Sequence, residues 1–116
     1  MTPQQITING KPVSIIFNMS TVLAFEEIAG KSFFAEDFST VRQRLIIIFA
    51  AIHAADSKSD VTIEQLMSIS DWDEMSAAFT AVMNQAKEFF HIPLLVAESE
   101  KKEADGQSEE EQPKNV

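Results

Sequence analysis

The side chains that could support acid–base or metal chemistry are few and scattered. His53 and His91 are the only histidines, and the chain has no cysteine. Neither histidine belongs to a helix-face pair with the spacing of metal ligands, and no serine stands in a strand-to-helix nucleophile elbow. Glu26 and Glu27 are adjacent, so on a helix their carboxylates point about 100° apart and do not share a proton. All four residues therefore fit partly exposed helix positions better than a catalytic pair.

Two loops resemble binding loops only in part. Gly30 to Ser32 has the ending of a phosphate-binding loop, but Phe25 stands where the first glycine of that pattern belongs. Asp56, Ser57 and Asp60 resemble a calcium loop that lacks its central glycine and its closing glutamate. The sequence thus predicts no metal and no cofactor, and it argues by exclusion against an enzyme. A binding or scaffold protein remains.

Composition narrows the classes of partner. The 116 residues carry 18 acidic and 9 basic side chains, for a net charge of −9, which would repel a nucleic-acid backbone. No apolar run approaches the roughly 20 residues that cross a bilayer, and the N-terminal segment lacks the features of a signal peptide. We therefore expect one small domain that binds neither nucleic acid nor membrane, with an acidic mimic of DNA as an open alternative.

The elements that would position any site begin with a β-hairpin over Gln5 to Phe17. Asn9-Gly10 lies between two strand-like runs, and this pair is favoured in two-residue hairpin turns because both positions tolerate positive φ. A lone hairpin is marginal in water, so one face should pack on helices.

A short helix should follow from Met19 to Ala29, with Asn18 as its N-cap and Gly30 as its left-handed C-terminal residue. After it comes a connection without helical periodicity. We expect its aromatic side chains to fill the core from a loop: Phe33, Phe34 and Phe38.

The central helix is predicted over Arg42 to Ala55, with Ser39 as its N-cap and Asp37 as a rival cap. One apolar face has helical spacing: Val41, Leu45, Ile48, Phe49, Ile52 and Ala55. The opposite side is apolar as well, at Ile46, Ile47 and Ala50. This helix is therefore either covered on several sides or lends its back to another protein.

Two capped helices complete the bundle. Thr62 and Gln65 form a capping-box pattern before a brief helix from Ile63 to about Ile69, which should bury Ile63, Leu66 and Met67. Asp71 and Glu74 form a second such pattern before a helix from Trp72 to about Phe90. Its apolar stripe contains Trp72, Met75, Phe79, Val82, Met83, Ala86, Phe89 and Phe90. The stripe fits a core, but its methionines also suit an adaptable peptide-binding surface.

The predicted fold is α+β and mostly α, with an N-terminal β-hairpin packed on a bundle of about four helices. Residues 1–97 form the single domain. Residues 98–116 contain seven acidic and three basic side chains and no aromatic one, which predicts a disordered acidic tail.

This order of elements, together with several short strings, resembles the tail assembly chaperones of long-tailed bacteriophages. The strings are Ile8 to Lys11, Phe17-Asn18, Phe25 to Glu27 and Gly30 to Phe33. The resemblance covers roughly residues 6 to 90, and the motifs are architectural rather than chemical.

The resemblance implies a protein of the host bacterial cytoplasm that is absent from the mature virion. It would bind and solubilise the tape measure protein and help recruit tail tube subunits, possibly through a frameshifted longer form. We expect the contact surface at Ile46, Ile47 and Ala50, with Phe33 and Phe34 beside it. The same apolar face would serve a homo-oligomer equally well. Two other classes stay open: a small acidic regulator that occupies a basic site, and a structural tail or connector subunit.

Overall fold

The computed structural model describes residues 2–91. The predicted acidic tail and the domain boundary at residue 97 lie outside this part of the chain. The elements in chain order are β1 (Gln4–Ile8), β2 (Lys11–Ile15), α1 (Met19–Ala29), a 3₁₀ turn (Phe33–Ala35), α2 (Val41–Ala55), α3 (Ile63–Met67) and α4 (Trp72–Phe90). The predicted α+β, mostly helical fold class is confirmed.

The hairpin has the predicted two-residue turn. Asn9 and Gly10 have φ angles of 52° and 81°, and Ile8 pairs with Lys11 across the antiparallel ladder. β1 packs on α4, and β2 packs on α2. Helical cover thus stabilises a two-stranded sheet that would be marginal by itself.

Hydrogen bonds fasten the tip of the hairpin to the connection between α3 and α4. The Asn9 amide donates to the Glu74 carboxylate, and its side-chain Nδ2 donates to the Gln65 carbonyl at 3.2 Å and to Ser68 Oγ at 3.1 Å. Asp71 caps α4 by accepting from the Asp73 amide at 3.0 Å. The predicted pairing of Asp71 with Glu74 in a capping box is therefore wrong, because Glu74 binds the hairpin instead.

The predicted cap of α1 is confirmed, whereas that of α2 is wrong. The Asn18 side chain accepts from two α1 amides, and Gly30 ends that helix at φ 77°. α2 is capped by Thr40 rather than Ser39: Thr40 Oγ1 accepts from the Gln43 amide and Gln43 Oε1 accepts from the Thr40 amide, both at 3.2 Å. The glutamine at the third helical position accepts from the Thr40 amide in this reciprocal pair. With Ser39 as the cap that position would be Arg42, which has no acceptor.

α2 lies at the centre of the domain, in contact with α1, β2, α3 and α4. Its buried residues join the core side chains of the other elements, including Ile15, Phe17, Phe25, Leu66 and Val82. Phe33 and Phe38 fill the core from the connection, as predicted, but Phe34 does not. The Thr62–Gln65 capping box of α3 is confirmed, and α3 ends at Met67, before the predicted Ile69.

Candidate partner-binding surface

The two histidines occupy structural positions. His53 Nε2 lies 2.9 Å from the Val61 carbonyl oxygen, and its ring packs on Phe49 with 4.4 Å between centroids. His91 takes the left-handed conformation that ends α4. Within residues 2–91 no three acidic or histidine side chains are grouped to hold a metal ion, and no helix there could span a membrane.

The structure corrects most of the predicted contact surface. Ile47 and Ala50 are fully buried, and Ile46 and Phe33 are 2% and 3% exposed. α2 contacts α1, β2, α3 and α4, and the chain leaving β2 is bonded to it where the Ile16 amide donates to the Ala51 carbonyl at 3.2 Å. These four side chains therefore belong to the core of the folded monomer. Phe34, which is 69% exposed, is the one predicted contact residue that is accessible.

A different apolar surface is open, at the start of α2. Val41 is 47% exposed, Met67 is 67% exposed and Trp72 is 58% exposed. Two adjoining hollows of ≈ 490 and ≈ 200 Å³ share Val41, Leu45 and Met67 in their walls. Together they form one groove, called here the apolar groove, which is defined by Ile28, Val41, Leu45, Ile46, Ile63, Met67 and Trp72. The predicted contact residue Ile46 therefore stands in the wall of this groove, although it is only 2% exposed. It lies where α1, α2, α3 and the start of α4 meet.

A separate hollow of ≈ 540 Å³, called here the aromatic groove, is lined by Phe33, Phe34, Phe38, Phe79, Met83, Glu36 and Asp37. Its charged groups find partners within the chain. The Glu36 carboxylate, whose side chain is 4% exposed, pairs with Lys31 Nζ at 3.3 Å and accepts from the Gln43 amide group. Arg44 lies over the Phe79 ring, 5.1 Å from its centroid, and donates from Nε to the Phe38 carbonyl at 2.8 Å.

Asp37 is also satisfied locally. The Ser39 hydroxyl and then the Ser39 backbone amide hydrogen-bond its carboxylate, and together they hold the pKa of Asp37 below its ordinary value of 3.8. The amide of Ser39 lies 3.0 Å from Asp37 Oδ1. The aromatic groove is thus a nearly neutral, internally paired site, whereas the apolar groove offers hydrophobic surface.

Sequence reasoning placed Met67 in the core and left Trp72 between core and surface. Met67 is the last residue of α3 and Trp72 is the first residue of α4. Both belong to the apolar positions of their helices, but at a helix end fewer neighbouring side chains are present to bury them. The methionines and the lone tryptophan near a helix start were the available signal.

No protein-family model, no curated protein and no solved structure matches this chain. The likeness to tail assembly chaperones rests on the order of elements and on the strings quoted above.

Proposed function

We propose that this chain is a tail assembly chaperone of a long-tailed bacteriophage. It binds and solubilises the tape measure protein in the host cytoplasm, helps recruit tail tube subunits, and leaves before the virion is complete. The observation that carries the proposal is the apolar groove, because three large, exposed side chains lie around one concave surface.

The chemistry of the groove suits a chaperone. A long helical partner with exposed apolar stripes aggregates unless those stripes are covered, and a concave apolar surface can cover part of one. Methionine adapts to irregular partner surfaces, and Met67 is the most exposed of the groove's large apolar residues. The net charge of −9 keeps a complex of this kind soluble.

The order of elements adds support. A hairpin with an Asn-Gly turn, a short capped helix, an aromatic connection, a long apolar helix and a capped helix pair follow one another as the resemblance implies.

Co-expression with the tape measure gene of the same tail cluster tests the proposal. The wild-type chain should move the tape measure protein into the soluble fraction and co-purify with it. The double variant Val41→Gln/Met67→Gln should lose most of that effect, because both changes place polar groups in the groove. Met19→Gln/Leu23→Gln is the matched control, since these α1 residues are 55% and 62% exposed and line neither groove.

Three results would contradict the proposal. The first is a tape measure protein that stays insoluble with the wild-type chain, and the second is a chain that forms a stoichiometric component of purified particles, as a structural subunit does. The third is a complex that dissociates completely in high salt. Salt sensitivity of that kind would indicate charge-led binding to a basic site, since screening shortens the reach of charges but leaves apolar contacts intact.

A further inference from the structure

The apolar groove has an acidic surround. Glu27 precedes Ile28 in the chain, Glu64 follows Ile63, and Asp71 and Asp73 flank Trp72. All four acidic residues are exposed. Of these four, only Asp71 lines the groove, where Arg42 is the one basic residue from the described part of the chain, and Arg44 precedes Leu45 in the chain. Apolar surface at the centre and negative charge around it therefore occur together.

The aromatic groove has a different balance. Its two carboxylates, Glu36 and Asp37, are answered by Lys31 and by the hydrogen-bond donors of Ser39 and Gln43. The chain itself thus supplies a cation and donors at this groove. Beside the apolar groove, Asp71 is satisfied as the N-cap of α4, but Glu27, Glu64 and Asp73 have no ion-pair partner within residues 2–91, so charge complementarity points to a basic partner there.

We propose that the apolar groove binds an amphipathic α-helix of a partner protein, and that lysine or arginine residues flank the apolar stripe of that helix. The walls of the groove are helix surfaces, which accept a further helix through residues spaced i, i+3, i+4 and i+7. The partner's basic flanks then meet the surrounding carboxylates, which steers the encounter and fixes the direction of the helix.

A second copy of this chain fits the groove less well. A two-fold dimer places the same patch against itself, so the acidic residues around one groove would approach those around the other. Like charges brought together at an interface oppose association. This charge balance favours a basic partner over self-association.

This inference rests on the proposed chaperone role because both concern the apolar groove. It can nevertheless be tested without a phage protein. Trp72 is the only tryptophan and lies at the groove, so its fluorescence reports occupancy directly. The probe is a designed peptide of about 20 residues, long enough to form a helix, with a leucine stripe flanked by lysines. The control peptide has glutamate at every lysine position.

The lysine peptide should cause a saturable blue shift of Trp72 emission. We expect it to bind at least about tenfold more tightly than the glutamate peptide at low salt, with the ratio shrinking as salt is added. Glu27→Gln/Glu64→Gln should reduce this ratio. Val41→Gln/Met67→Gln should weaken lysine-peptide binding about tenfold or more, whereas Met19→Gln/Leu23→Gln should leave it unchanged.

Equal affinity for the two peptides, or no saturable shift with either, would overturn the inference. So would a wild-type chain that sediments as a dimer and becomes monomeric in Val41→Gln/Met67→Gln, because a second copy would then occupy the groove. The two proposals fail separately. If the lysine peptide binds selectively but the tape measure protein stays insoluble, only the chaperone role is rejected. If the tape measure protein becomes soluble but both peptides bind equally well, only the preference for a basic helix is rejected.

Discussion

The back of α2 and the start of α2 are both apolar, yet they have opposite fates. Ile46, Ile47 and Ala50 are buried, while Val41 is about half exposed beside Met67. The back lies in the middle of the helix, where β2 and α4 join α1 and α3 around it. The start lies at the edge of the bundle, where the groove remains open. An apolar second face on a central helix thus indicates more layers of cover, and accessible apolar surface collects at the ends of elements.

Truncation to alanine should therefore have very different effects on stability at the buried back of α2 and at the open groove beside the start of α2. Ile47→Ala should lower the free energy of unfolding by about 3 kcal/mol, because it leaves a cavity at a fully buried position. Met67→Ala should change it by less than about 0.5 kcal/mol, since that side chain is mostly in water. Urea unfolding followed by circular dichroism measures both. A small loss for Ile47→Ala would show that the back of α2 is not closed in solution.

The cover over α2 includes a buried polar contact that can be removed separately. Gln85 is 5% exposed, and its Oε1 accepts from the Phe17 amide at 2.9 Å, where the chain leaves the hairpin. Gln85→Met keeps the approximate shape but leaves that amide without its acceptor. We expect a loss of about 2 kcal/mol in the free energy of unfolding and faster hydrogen exchange at Phe17.

Asn84→Ala is the control for this change, because Asn84 is the exposed neighbour of Gln85 on α4. It should alter stability by less than about 0.5 kcal/mol. If Gln85→Met is equally neutral, the hydrogen bond from the Phe17 amide to Gln85 does not stabilise the fold.

Local signals in the sequence were sufficient for most of the fold. The Asn9-Gly10 turn, the Asn18 cap and the Thr62–Gln65 capping box each depend on residues close in the chain, and all three predictions are confirmed. The prediction for Glu74 was wrong because its hydrogen-bond partner lies far away in the sequence. Glu74 has the right spacing for a capping box with Asp71, but the Asn9 amide, far away in sequence, takes its carboxylate.

The candidate site was harder to predict for the same reason. Periodicity shows that Ile47 and Met67 are apolar, but it does not show how many elements surround each one. Ile47 is fully buried on a helix that contacts α1, β2, α3 and α4, whereas Met67 is the last residue of α3 and is 67% exposed. Both facts depend on tertiary arrangement.

A smaller effect on stability is expected from the N-cap of α2. Thr40→Ala removes the side-chain acceptor of the Gln43 amide and should cost about 1 kcal/mol of stability. Ser39→Ala, at the neighbouring position, should cost less than about 0.5 kcal/mol near pH 7 because Ser39 does not cap the helix. Thermal or urea unfolding of the two variants compares them directly. The opposite ranking would restore Ser39 as the cap.

The smallest effect concerns Asp37, whose carboxylate is satisfied by its own loop. The pKa of Asp37 is lowered in the folded chain, mainly by the Ser39 hydroxyl. The ionised Asp37 carboxylate therefore stabilises the fold at pH values above its ordinary pKa of 3.8, and this contribution is lost as the pH falls through the folded-state pKa. Carboxyl NMR titration should show the Asp37 pKa rising toward 3.8 in Ser39→Ala, with the remaining amide bond keeping it from reaching that value. Any small stability difference between Ser39→Ala and wild type should then disappear at pH values below the folded-state pKa. An unchanged pKa would mean that the Ser39 hydroxyl does not bind the carboxylate, and the Ser39 amide would then be its main hydrogen-bond donor.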